Sequence, residues 1–420
     1  MIVILGAGVT GLSIAYHLRE RGEDFILIEK EEGKGGLCRS INSKDYIFDY
    51  AGHFLHARSP YVRQLAKKLL PEILSIKRKS FIFLNGRMIP YPIQANLNYL
   101  PVLDRLKSIT GYLLRKRKEP KDLHDWILAN FGKGMANLFF FPYNRKLWRY
   151  PLTWITPDFL TPFVPGLSLF QTKEELGYNI EFLYPRKGIG EFTSALGNGI
   201  EIFHGEIKQI HEGYVLFEKG SIEYDQLIST IPLPLFWKML DLGSKVSLKS
   251  GCLKWNSVFC LNIGIQGNLS FPGIKSSSMS RESPEGFHWI YFPEERYPFY
   301  RVGSFSNVSP LMAPKGHSSL WVEVSYRERR PGKEMIDRII TALSMLGFFK
   351  KDSVEHILPL DIQYAYPIYN KGRKEFLSTI EEHLDNYNIS LAGRFGKWKY
   401  SYMEESILAG REIAREICRQ

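Results

Sequence analysis

The sequence predicts an α/β fold: a dinucleotide-binding domain on a parallel sheet, a mainly helical insertion, and an antiparallel β-sheet that forms a substrate domain. Three observations predict it. Residues 2–29 run through an apolar stretch, a glycine turn, an apolar-periodic stretch and a second apolar run. Residues 57–184 carry apolar side chains at helical spacing, interrupted by prolines, and residues 250–330 switch to two-residue alternation punctuated by Gly, Pro and Asn.

Ile2–Leu5 is all apolar, as in a parallel strand buried on both faces. Gly6-Ala7-Gly8-Val9-Thr10-Gly11 follows, then a helix carrying Leu12, Ala15, Tyr16 and Leu18, then Phe25–Ile28 ending at Glu29. Gly6 makes the tight turn, Gly8 lets the backbone approach a pyrophosphate, and Gly11 lets the helix pack closely on the sheet. The helix N-terminus presents free N–H groups and a positive dipole end to phosphates. Glu29, 18 residues beyond Gly11, stands where a carboxylate accepts hydrogen bonds from an adenosine ribose. Glycines at this spacing are weak evidence alone; the two strands, the helix and the terminal acid favour dinucleotide binding over a purely structural βαβ unit.

At 420 residues the chain is long enough for roughly two or three domains with cores of their own. A composition of 44% hydrophobic and 24% charged residues suits a soluble globular protein, with 14% aromatic on the rich side. The glycine motif starts near residue 2 and no charge-free apolar run of about 18 residues occurs, so neither a signal peptide nor a transmembrane segment is expected and the reading is cytoplasmic. Cys38, Cys252, Cys260 and Cys418 have neither CxxC nor metal-ligand spacing, so they read as reduced packing thiols, and no metal site is expected. A net charge of +11 admits anionic partners without choosing among them, and no nucleic-acid module accompanies it. The densest basic run, Arg115-Lys116-Arg117-Lys118, with Arg105, Lys107 and Lys121 nearby, reads as a solvated helix end, with a membrane-surface patch as the alternative.

Beyond Glu29, Lys30–Ser40 (KEEGKGGLCRS) brings a second glycine pair and an arginine, Gly35, Gly36 and Arg39. Plain nicotinamide dehydrogenases do not use these; they suit a longer cofactor whose phosphates and ribityl chain continue past the first turn, which favours FAD over NAD. Here the sequence resembles the flavin-binding start of the UDP-galactopyranose mutases, and more loosely the protoporphyrinogen oxidase and amine oxidase superfamily. The residues that carry the resemblance are GAGVTGLSIAYHL, Glu29, GGLCRS and FDYAGHFLH. It implies cofactor contacts at Gly36, Leu37, Arg39 and Gly52, and a His53 lying against the isoalloxazine ring. A packed core histidine is the alternative reading of His53.

In the insertion the helical spacing comes from Tyr61, Leu65 and Leu69 and from Leu97, Leu100, Leu103 and Leu106. Ile89–Asn96 (IPYPIQAN) and Pro142–Trp148 (PYNRKLW) resemble two uridine-pocket segments of the eukaryotic-type mutases. Tyr91 has the flat ring to stack on a base, and Gln94 and Asn144 have the paired donors and acceptors to read its edge, with Trp148 beside them. Ordinary turn chemistry is the competing reading of both segments.

Short strands follow at Ile202-Phe203 and Ile207–Ile210, and Leu227–Pro232 reads as a strand ending at the sheet's carboxyl edge, where cofactors sit. In the antiparallel region, Trp289–Glu294 and Pro298–Pro310 match the eukaryotic-type mutases most closely. The resemblance implies that Arg301 binds the substrate diphosphate, a task an arginine fork suits, with Trp289 and Tyr291 near the sugar phosphates. Ile389–Glu416 closes the chain as a strand, a Gly-Arg turn and a helix. Gly393, Arg394 and Met403 match cofactor-contacting positions, and Tyr400, with Tyr366, completes the implied substrate set. After Tyr400 the pattern departs: the Gly-Asn-Gln-Asp run of eukaryotic mutases is absent, and Tyr402-Met403-Glu404 is nearer the bacterial form.

These readings divide the chain into a discontinuous, Rossmann-like FAD-binding domain (1–60, 185–248 and 356–420), a mainly helical insertion (61–184) and an antiparallel-sheet substrate domain (249–355). The implied activity is an isomerisation: N5 of reduced FAD attacks the anomeric carbon, interconverting pyranose and furanose forms of UDP-galactose or a related nucleotide sugar. The protein's share is positioning and diphosphate stabilisation, with His53 and Arg301 nearest the chemistry. The resemblance also implies NAD(P)H or another reductant and a role in cell-surface polysaccharide synthesis, and leaves room for a homodimer and peripheral membrane association. One departure stands out: the mutases' second arginine, on a mobile loop, has no counterpart between Leu152 and Gly166, where its position falls on Phe163. Lys173, Arg186 and Arg149 are the candidates to replace it. The competing reading is a net-redox flavin oxidoreductase of the amine oxidase or protoporphyrinogen oxidase type.

Overall fold

Gly6, at φ 95°, turns the chain out of Ile2–Leu5 (β1) and into helix Val9–Arg19 (α1), which returns to Phe25–Glu29 (β2), parallel to β1. A Cβ on Gly11 would overlap the Gly6 carbonyl oxygen, so only glycine lets α1 start against the turn. The computed structural model describes residues 1–116, 118–160, 181–242, 250–270 and 285–419. A hairpin of Ser40–Ser43 (β3) and Tyr46–Asp49 (β4) then leads to helix Pro60–Leu69 (α2).

The segment expected to be mainly helical opens instead with strands, Leu74–Lys77 (β5), Ser80–Leu84 (β6) and Arg87–Pro90 (β7). All five residues of β6 are buried, a run too short for a helix, and Asn85 and Gly86 close the hairpin at φ 51° and 71°. From Val102 the chain is helical: Val102–Leu113 (α3), Leu123–Met135 (α4) and Phe141–Trp148 (α5). The expected apolar face divides here, for Leu97 and Leu100 are buried whereas Leu103 and Leu106 lie in solvent.

Glu181–Tyr184 (β8) pairs with β5, and Gly190–Leu196 (α6) leads back to the parallel sheet through Phe203–His204 (β9). Ile207–His211 (β10), Tyr214–Phe217 (β11) and Gly220–Glu223 (β12) form a small meander. Gln226–Ser229 (β13) then joins β1 in parallel and Leu233–Met239 (α7) follows.

The antiparallel region is built on Lys254–Gln266 (β14), Trp289–Tyr291 (β15), Arg301–Ser304 (β16), the helical turn Phe305–Val308 (α8), His317–Tyr326 (β17), helix Lys333–Met345 (α9) and Val354–Ile368 (β18). Its strand order is β18-β14-β17-β16-β15-β6-β7. The sheet therefore takes two strands from the 61–184 segment at one edge. At the other it takes residues 356–368, which the sequence boundaries had grouped with the cofactor domain. Residues 354–368 follow β14 because they pair with it along most of its length.

Lys371–Asp385 (α10), Ile389–Leu391 (β19), the turn Gly393–Gly396 (α11) and Met403–Ile417 (α12) complete the chain. The parallel sheet has the order β19-β13-β1-β2-β9. Helix α12 lies on α1 at close range: the Ser13 hydroxyl donates to the Ile407 carbonyl at 2.8 Å, and a Cβ on Gly410 would come within 2.6 Å of Ser13. No described helix is long and apolar enough to cross a membrane.

Candidate active site

A cavity of about 1010 Å³ runs from Gly6, Gly8 and Glu29, at the carboxyl edge of the parallel sheet, to Tyr143 and Trp148 on α5. The two sheets make its walls, so every region of the sequence contributes side chains to one cleft.

At its first end Glu29 accepts the Ala7 N–H at 2.8 Å and the Glu31 N–H at 3.0 Å, which fixes its carboxylate beside the glycine turn. No atom lies within 4 Å of the place a Gly8 Cβ would take, so the backbone there faces open cleft. Gly36, at φ 58°, backs onto Gly8, and Leu37 lines the wall beyond it. Arg39 donates to the Tyr50 hydroxyl at 2.7 Å and lies over its ring, while its shielded Nε has no partner among the described residues. Open space at a glycine turn, a fixed carboxylate and an unsatisfied guanidinium nitrogen fit a dinucleotide with phosphates at Gly8 and a ribose at Glu29.

His53 lines the middle of the cleft. Desolvation pushes its pKa down to about 4, so the ring is neutral at pH 7, and its shielded Nδ1 has no partner among the described residues. Gly52 lines the cleft and also seats Trp321, which a Cβ there would approach to 2.6 Å. Met403 is part of the lining; Gly11 and Gly393 are not. Gly393, at φ 72°, instead lets the 393 turn close on Thr10, whose side chain a Cβ would overlap. Arg394 donates to the Ser401 and Ala365 carbonyls at 2.8 and 3.0 Å and lies over Tyr400 and Tyr366, so it frames the wall.

The far end combines aromatic rings with charge. Tyr91 and Tyr143 flank Tyr291 at 4.9 and 5.3 Å between centroids, and Tyr366 stacks with Tyr400 at 5.9 Å. Burial pushes the Tyr91 and Tyr143 hydroxyls up and that of Tyr400 to about 12, so all are neutral donors at pH 7. Arg301 donates through Nε and Nη2 to Glu323 at 2.7 and 2.8 Å. Glu323 also accepts from the Tyr300 hydroxyl and, at 2.9 Å, from Trp321 Nε1. Arg301 itself lines the cleft.

Two functional candidates were not anticipated. Glu323 orients Arg301, and its signal was a lone acid inside the apolar run SLWVEVSY. Arg78 contacts the Tyr291 hydroxyl at 3.4 Å and lies 4.6 Å from the Trp289 ring centroid, so a further cation enters the cleft from just before β6.

The other expected site residues differ in how they stand to the cleft. Gln94 is buried outside the cleft lining. Asn144 lines the cleft, but its Oδ1 accepts from Trp148 Nε1 at 3.0 Å and its Nδ2 donates to the Phe140 carbonyl at 2.8 Å. One donor and one acceptor of the amide are thus used along this helical segment, where positions i and i+4 meet, and its second N–H and second lone pair remain. Arg149 donates to the Ser325 carbonyl, and Arg186 pairs with Glu72 at the surface; neither lines the cleft. Phe163 and Lys173 lie outside the described residues.

A family model, the NAD(P)-binding Rossmann-like domain, matches residues 4–69. The probable flavin-containing monoamine oxidase A of Dictyostelium discoideum is 29% identical over 103 residues, covering 24% of this chain and 22% of that protein. The 4,4'-diaponeurosporene oxygenase of Staphylococcus haemolyticus is 23% identical over 440 residues, covering 88% of this chain and 86% of its own length. Among solved structures, a reduced UDP-galactopyranose mutase superposes with a TM-score of 0.90 and 26% identity, covering 100% of this chain and 93% of that one.

Proposed function

We propose that this chain, which has the fold of a UDP-galactopyranose-mutase-like flavoprotein within the wider amine oxidase and protoporphyrinogen oxidase superfamily, binds FAD along its cleft and interconverts pyranose and furanose forms of UDP-galactose or a related nucleotide sugar. The observation that carries this reading is Arg301, locked to Glu323 and set among tyrosines in the cleft wall. A charged, phenol-lined wall suits an anionic, hydroxylated substrate, whereas an apolar polyene gains nothing from it.

Gly8 and Gly36 would hold the phosphates, Glu29 the adenosine ribose, and neutral His53 the flavin ring. When bound, reduced FAD supplies the electron pair that attacks the anomeric carbon. Arg301 offers its guanidinium to the departing diphosphate, and Glu323 fixes its plane. Arg78 brings the second positive charge that the segment Leu152–Gly166 lacks. The tyrosine hydroxyls donate to sugar and phosphate oxygens, and their rings exclude water. On this reading the enzyme is cytoplasmic, takes reducing equivalents from NAD(P)H or another donor, and serves galactofuranose supply for surface polysaccharide.

The test uses purified protein reduced with dithionite under anaerobic conditions and mixed with UDP-galactopyranose and a panel of other nucleotide sugars, products being followed by chromatography. An isomer of equal mass formed only with reduced flavin supports the reading. A second reading, a net-redox flavin oxidoreductase, is favoured by the monoamine oxidase and oxygenase relatives. Sustained oxygen consumption with an amine or other hydride donor, and no isomer from any nucleotide sugar, would establish it instead.

A further inference from the structure

Helix α3 packs by its small side. Ser108 and Gly111 turn to α4, where a Cβ on Gly111 would stand 2.6 Å from the Gly134 nitrogen and one on Gly134 would overlap the Lys107 carbonyl. That close approach turns the helix's large aliphatic residues outward. Val102, Leu103, Leu106, Leu113 and Leu114 are 60, 70, 52, 68 and 83% exposed, against single-figure exposure for the buried Leu97 and Leu100 just before them. At 100° per residue these five positions fall within an arc of about 120°, so they share one face of the helix, which Thr110 alone interrupts. Scattered exposed leucines need no explanation, but a stripe of this kind marks an interaction surface.

The stripe has a basic border. Beside it opens a second cavity of about 920 Å³, whose wall carries Lys107, Arg115, Lys116, Lys118 and Lys133 along with Leu114. Asp104, Glu119 and Asp125 are the acids of that wall, which leaves cations in excess. Lys107, Lys116 and Lys118 are exposed.

We propose that α3 and the following turn seat the protein on an anionic phospholipid surface, with the leucines in the acyl boundary and the lysines among lipid phosphates. Charge complementarity selects this occupant. Two copies meeting face to face would bring their lysine borders together, whereas an anionic bilayer satisfies the stripe and the border at once. The proposal is independent of the reaction assigned to the cleft.

The test is co-sedimentation of the flavin-loaded full chain with phosphatidylcholine vesicles, with and without phosphatidylglycerol, alongside sedimentation velocity without lipid. Binding is expected only to the phosphatidylglycerol vesicles and should weaken as salt rises. Leu103→Ser/Leu106→Ser should lower the partition coefficient by about tenfold or more, and each Lys→Glu at 107, 116 or 118 by about fivefold or more. Melting temperature should stay within a few degrees and flavin content unchanged, because these side chains lie largely in solvent and outside the cleft lining. Protein that stays in the supernatant, or a leucine variant that binds as well as the parent, overturns the proposal. So does a lipid-free dimer that the leucine variant converts to monomer, which would assign the stripe to a second copy.

Discussion

Arg301 and Glu323 form a two-pronged pair across neighbouring strands, with Nε to Oε1 at 2.7 Å and Nη2 to Oε2 at 2.8 Å, and Glu323 only 1% exposed. Tyr300 and Trp321 give the same carboxylate two more donors, so its charge is fully engaged. The pair therefore supports the sheet as well as the cleft. Arg301→Ala leaves a buried carboxylate without its counter-ion and should cost about 3 kcal/mol or more of stability, together with the affinity for UDP. Adding Glu323→Gln removes the stranded charge, so the double variant should regain part of the melting temperature without regaining UDP binding. Thermal unfolding and calorimetric titration with UDP check this. A double variant no more stable than Arg301→Ala would mean that the pair is not what couples fold and site.

The glycine turn separates cofactor binding from folding. Gly8 faces open cleft, whereas a Cβ on Gly11 overlaps the Gly6 carbonyl. Gly8→Val should keep the apoprotein's melting temperature within a few degrees yet abolish flavin retention, because the added methyls occupy the phosphate site. Gly11→Val should destabilise by about 3 kcal/mol or more through backbone displacement. Flavin absorbance per mole of protein, measured with thermal unfolding, distinguishes the two.

The cofactor half of this arrangement was legible because its signals are local: strand, glycine turn, helix and acid follow each other within residues 2–29. The other half depends on contacts far apart in sequence. Asn85-Gly86 between apolar runs is a hairpin signal, but it sits in a segment whose leucines suggest helices throughout. Leu103 and Leu106 misled because α3 packs through Gly111, and a period of 3.6 marks a face without saying which way it points. For Asn144 the sequence shows the amide but hides that Trp148, one turn on, donates to its oxygen. Glu323 and Arg78 stayed hidden because each gains its role only from the strand laid beside it.

Asn144 is the next case for experiment. With Oδ1 on Trp148 Nε1 and Nδ2 on the Phe140 carbonyl, it holds a buried indole against the cleft. Asn144→Ala should cost about 1–3 kcal/mol of stability by leaving the indole N–H unsatisfied. UDP affinity should change by less than about threefold, because one donor and one acceptor of the amide already hold the helical segment together. A large loss of affinity at constant melting temperature would restore the base-reading role.

His56 supplies the pH dependence. Desolvation, followed by the nearby Arg78 charge, pushes its pKa from 6.5 down to about 3. Between pH 3 and 6.5 the unfolded chain therefore binds more protons than the folded one, and His56's contribution to stability rises with pH through that window. It is fully present above pH 6.5 and lost on acidification. Because the ring borders an open cleft, the contribution is taken as about 1–2 kcal/mol after solvent screening. Asp49, raised to about 6 by burial, has the opposite sign over part of the range but is common to both proteins in a comparison of parent with His56→Gln. The parent should thus lose more stability than His56→Gln on going from pH 7 to pH 4, the difference in melting temperature narrowing as pH falls. Parallel curves across that range would show that His56 titrates alike in both states and that the cleft is wetter at this point than its geometry indicates.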